Sequence, residues 1–149
     1  MAQGDGPSKG LLFAGGLVIL LLFSALVFFL FQEDPASVVH QFFAARTIKE
    51  KQMLLTPESS GILKRNLESF AMRSGMSLTS VERQLDKTDT KLMEVQGATK
   101  LADDSYVFEV SVRISSPDDE TTDKGKIYVK KIGNSWKIDL TPRDALMVF

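Results

Sequence analysis

Ser105-Tyr106-Val107-Phe108-Glu109-Val110-Ser111-Val112-Arg113-Ile114 is the stretch that decides the fold. Tyr106, Phe108, Val110, Val112 and Ile114 fall on one face of an extended chain. Val107, Glu109, Ser111 and Arg113 fall on the other. Alternation with a period of two marks a strand with one buried face, the pattern of an antiparallel sheet covered on one side. Upstream, Lys91 to Leu101 reads as a strand interrupted by Gly97, a bulge signal, with Asp103-Asp104 as the turn between the two. Downstream, Lys126 to Ile132 and Trp136 to Leu140 read as two strands joined tightly through Gly133-Asn134. Ser80 to Lys87 is expected to add one more strand.

Towards the N-terminus the period becomes helical. Asp34-Pro35, Thr56-Pro57 and Thr141-Pro142 each place a capping oxygen before a proline, the residue that suits a first helical turn because its missing N–H is not needed there. Val38, Val39, Phe42, Phe43 and Ala45 form one apolar face, predicting a helix to about residue 46 and a short second one to about 55. Ile62, Leu63, Leu67, Phe70 and Ala71 form the stripe of another helix, which Gly75 stops. Helices first and an antiparallel meander after them make an α+β domain.

Leu11 to Phe31 carries no charge and a single hydroxyl, Ser24. As a helix its roughly 21 residues reach ~30 Å, the thickness of a bilayer's hydrocarbon core. A cleaved signal peptide would have a shorter apolar region ending in small residues, whereas this one ends in Phe28-Phe29-Leu30-Phe31. The reading is therefore residues 1–10 as a short cytoplasmic tail, 11–31 as an uncleaved transmembrane helix and 32–149 as the soluble domain. Lys9 and the free amine precede the span, and Glu33-Asp34 follow it. The positive-inside rule then puts the domain outside the cytoplasm, in the periplasm of a Gram-negative cell.

The 149 residues include 18 Lys and Arg and 19 Asp and Glu; setting aside Lys9 and Asp5 leaves 17 and 18 beyond the span. So balanced a surface argues against nucleic acid as a ligand, because phosphate-backbone binding needs clustered positive charge. The chain has no cysteine, which excludes disulfides, thiolate metal sites and a cysteine nucleophile. No cofactor is expected. Asp118 to Asp123 is acidic, yet it lacks the spaced ligands and glycine of a calcium loop and reads as a solvated hairpin.

Two passages carry a family resemblance. Asp34-Pro35-Ala36-Ser37-Val38-Val39-His40-Gln41-Phe42-Phe43-Ala44-Ala45 resembles the opening helix of small envelope-anchored members of the nuclear-transport-factor-2-like, or cystatin-like, superfamily. Lys131-Ile132-Gly133-Asn134-Ser135-Trp136-Lys137-Ile138-Asp139 is similar to their closing hairpin. The resemblance implies a cone of two or three helices packed on a curved antiparallel sheet of four to five strands. That fold hosts isomerases, dehydratases, transport adaptors and secretion scaffolds, so it implies no single activity. The anchored topology also resembles the inner-membrane scaffold component of type IV secretion, with a shorter domain.

Candidate sites are few. His40, the only histidine, lies off the apolar stripe of its helix and has no evident partner for acid–base work. Phe42, Tyr106, Tyr128 and Trp136 are candidates to line a cone pocket, packing being the plainer account of each. Glu94, Glu109 and Asp139 fall at polar-facing strand positions. Gly10, Ala14, Gly15 and Gly16 form a small-residue patch that would admit a second transmembrane helix. Leu146, Met147, Val148 and Phe149 end the chain in apolar side chains that either fold over their own core or dock into a partner. The expected function is a non-enzymatic accessory or assembly subunit of a membrane complex, whose partners are other membrane subunits and the bilayer. A module for a small apolar ligand is the alternative, and an isomerase-like enzyme the distant one.

Overall fold

The computed structural model describes residues 34–147. The expected membrane helix at 11–31, its Gly10, Ala14, Gly15 and Gly16, and the terminal Val148 and Phe149 lie outside the described residues. Among the described residues no helix is long and apolar enough to cross a membrane. They form an α+β unit in the order α1 (Pro35–Ala44), α2 (Ile48–Met53), α3 (Pro57–Ser74), α4 (Leu78–Leu85), β1 (Asp89–Lys100), β2 (Ser105–Ser115), β3 (Glu120–Ile132) and β4 (Ser135–Asp139). The sheet is an antiparallel meander of order β1-β2-β3-β4. Among the described residues there are thus four helices, one more than the two or three expected, and four strands.

The capping signals at the first two Asp/Thr-Pro sites act as read. Asp34 Oδ1 accepts from Ala36 N at 3.0 Å, and Thr56 Oγ1 accepts from Ser59 N at 3.2 Å. Gly75, at φ 66°, ends α3 in the left-handed conformation. Thr141-Pro142 is a correction. Thr141 gives both its N–H (3.0 Å) and its hydroxyl (2.8 Å) to Asp139 Oδ1, so the side chain closes a turn and no helix follows.

Ser80 to Lys87 is a second correction: the segment is helical, as α4. Val81 and Leu85 are four apart, a spacing that satisfies both a period of two and one of 3.6. Leu78 breaks the tie, since 78, 81 and 85 share a helix face and Val81 is fully buried. Ser77 caps the helix through Ser80 N at 3.2 Å. The acidic loop is also shorter than expected, because β3 begins at Glu120 and only residues 116–119 turn.

The β2 alternation holds along the whole strand, with Phe108, Val110 and Val112 buried on the helix-facing side. In β1 the register slips at Met93 and again at Gly97, where φ is 49°. Two bulges restore the phase, so Leu92, Val95 and Ala98 stand opposite Val112, Val110 and Phe108. Helix α1 lies on this inner face, its Val38, Val39, Phe42 and Phe43 buried with Ile127, Val129 and Ile138.

The β4 edge, and the part of β3 that β4 leaves uncovered, are partly closed. Ile138 of β4 exchanges hydrogen bonds with the 54–56 link, from Thr56 N to Ile138 O (2.9 Å) and from Ile138 N to Leu54 O (2.8 Å). The chain after β4 returns to β3, where Leu146 N donates to Lys126 O at 2.8 Å. Pairing an edge in this way removes a template for aggregation.

Candidate functional site

Helix α1 presents its apolar stripe to the sheet, which leaves His40 exposed at the stripe's margin. The helix ends at Ala44, and the link to α2 runs past the first residues of β1. Between them opens a cavity of about 660 Å³, bordered by His40, Arg46, Asp86, Lys87, Asp89 and Thr90, with Lys91 beside them. The sole histidine therefore does line a hollow, with neighbours that sequence spacing could not supply. Apart from Arg46, six positions on, they come from 46 to 51 positions further along the chain.

The chemistry of this hollow is charged. Asp86, the C-cap of α4, accepts from Ile48 N at 2.9 Å and so ties the start of α2 to the end of α4. Lys51 is buried, with its ammonium 5.7 Å from the centre of the Phe42 ring. Burial pushes its pKa below the ordinary lysine value, against the opposing pull of Asp86 and Asp89. Thr90 is 4% exposed, and its hydroxyl has no hydrogen-bond partner. Such orphaned groups are rare in folded proteins because each carries an uncompensated desolvation cost.

The four aromatic residues expected to share a pocket are dispersed. Phe42 is a core residue at 1% exposure, in edge contact with Phe43. Tyr106 and Trp136 do meet, ring centres 5.4 Å apart at 77°, over the end of the core near Phe108. Lys131 lies 5.6 Å from the Trp136 ring. Tyr128 is on the opposite face of the sheet. Its hydroxyl donates to Asp144 at 2.9 Å, and Lys126 Nζ reaches the same carboxylate at 3.1 Å. These two bonds hold Asp144 below the usual carboxylate range, and the first of them raises the pKa of Tyr128 against the opposing pull of Lys126.

Glu94 and Glu109 face outward as expected, bordering with Lys124 and Lys126 a shallow hollow of about 330 Å³ on the outer face. Asp139 accepts from Ser59 at 3.3 Å and from Thr141, so its role is structural. Of the chain end, Leu146 packs against the domain's own core and Met147 is half-exposed. Among the described residues no three His, Asp or Glu side chains converge on a metal position.

Comparison with family models, curated proteins and solved structures finds no match to this chain.

Proposed function

We propose that this chain is a non-enzymatic accessory subunit of a membrane complex. In this reading a helix over residues 11–31 anchors it, and the domain over 32–149 meets its partners outside the cytoplasm. The domain would be a small cone-like member of the nuclear-transport-factor-2-like superfamily.

One observation carries the reading. The apolar stripe of α3, Leu63, Leu67 and Ala71, is buried, but its continuation at Phe70 is 48% exposed. Met72 and Met76 are 84% and 37% exposed within the same seven residues. Met72 stands about 200° round the helix from Phe70, so uncovered apolar side chains face out on more than one side at the end of α3. Flexible, polarisable methionines and an uncovered aromatic suit an adaptable contact surface. The inner face of the sheet, by contrast, is filled by α1, so the alternative of an apolar ligand within the cone gains no support.

The test uses the full-length protein in mild detergent. The expected result is a particle larger than the chain and its micelle, reduced to the chain alone by Phe70→Glu with Met72→Glu, at an unchanged melting temperature. Ala14→Leu with Gly15→Leu should weaken the same particle through bulk at a helix contact. A wild-type chain that runs alone overturns the reading.

A further inference from the structure

We propose that the cavity at the end of α1 binds a small oxyanion, a carboxylate or phosphate compound, with Arg46 and the Thr90 hydroxyl as its principal contacts.

Charge is the first support. Arg46, Lys87 and Lys91 border the cavity, and among the described residues none of the three is ion-paired. The two carboxylates present, Asp86 and Asp89, already answer to other groups. Asp86 holds the Ile48 amide at 2.9 Å, and both lie within electrostatic reach of the buried Lys51 ammonium. Among the lining residues three cations face two carboxylates, a positive surplus of one at the mouth, while Glu50 outside the lining holds the Arg46 amide at 2.8 Å. A guanidinium offers two parallel donors that match the spacing of carboxylate or phosphate oxygens.

The Thr90 hydroxyl is an independent support. Thr90 borders the cavity while its hydroxyl lies buried just behind the wall without a partner, so a ligand that shifts this wall would offer an oxygen to accept its proton. A site of about 660 Å³ lies within the range of small-molecule pockets. This site is separate from the α3 surface on which the subunit reading rests, so either stands if the other fails.

His40 is the single histidine of the chain and borders the cavity, so its ring resonance is an unambiguous reporter. Full-length protein in lipid nanodiscs would be titrated with sodium phosphate, sodium succinate and, at matched pH and ionic strength, sodium chloride. Saturable movement of the His40 signal is expected with phosphate, succinate or both, and none with chloride; the tighter of the two names the headgroup. Arg46→Gln and Thr90→Val should each weaken that binding by about tenfold or more, the cost of one lost hydrogen bond to a charged group. Lys124→Gln, on the outer face, should leave it unchanged. Arg46 is exposed and Thr90→Val keeps shape, so the folded His40 signal should survive in both variants. Movement that matches chloride, or saturable binding that both variants retain, overturns the proposal.

Discussion

Two polar clusters join the helices of this domain to its sheet, and they are finished to different degrees. At the β4 end, Thr56 and Ser59 are 1% and 0% exposed, and every group there is spoken for. Thr56 donates to Ser59 Oγ at 2.7 Å, Ser59 Oγ accepts from Leu140 N at 2.8 Å, and Asp139 closes the set. At the β1 end, Thr90 is also buried but orphaned, and Lys51 is a cation taken from water, answered by the Phe42 ring and the charges of Asp86 and Asp89 but by no ion pair among the described residues. A satisfied buried cluster fastens the fold. An unsatisfied one costs stability, and in this chain it lies beside a cavity.

The sharpest way to break that contrast is Ser59→Ala. It strands the Leu140 amide and the Thr56 hydroxyl, and leaving such groups unpaired should lower unfolding free energy by about 2–3 kcal/mol in urea titration. A change under about 0.5 kcal/mol would mean the cluster is not a fastening.

An apolar fastening gives a second measure. An added Cβ on Gly125 would lie 2.9 Å from Leu146 Cβ and Cδ1, so the glycine is there to let the returning chain approach. Gly125→Ala should cost about 1–2 kcal/mol by overpacking, and adding Leu146→Ala to it should cost less than Leu146→Ala costs alone. Strict additivity would show that the returning chain does not seat on β3.

Thr90→Val should do the reverse of Ser59→Ala. It removes a hydroxyl with nothing to lose, so stability should stay level or rise by up to about 1 kcal/mol. A loss as large as that of Ser59→Ala would erase the distinction between the two clusters.

The smallest effect is one of slope. A base whose pKa falls on folding carries a penalty that is full below its folded pKa. The penalty is relieved as pH rises through that value towards the unfolded 10.5. Lys51 is such a base, so in the alkaline range just below 10.5 the stability of wild type should rise relative to Lys51→Met. Denaturant midpoints of the two proteins across that range, taken as a difference, check the sign; parallel curves would place Lys51 in water.

Much of the architecture was legible because its causes are local. The β2 alternation, the caps at Asp34 and Thr56, the Gly75 stop and the Gly97 bulge each depend on a few adjacent residues, and each stands where the sequence puts it. Ser80 to Lys87 misled because two apolar residues four apart fit either period, and the decisive Leu78 lay outside the segment. Thr141-Pro142 misled because Asp139, a neighbour on the strand side, took both of the donors on Thr141.

The site was less legible still. His40 carried no signal beyond its position off a stripe, since the groups around it arrive from α4 and β1.

By itself the sequence determined the α+β order, the apolar run at 11–31, the absence of thiol chemistry and the faces of the strands. These follow from composition and from short-range periodicity, which act without knowledge of distant residues. Only the tertiary structure decided that Tyr128 and Trp136 sit on opposite faces and that Leu146 closes over Gly125. It also decided that Thr90 is left without a partner beside Arg46. Those outcomes depend on which segments pack together, and packing is set by the summed burial of the whole domain, in which no single stretch holds a majority.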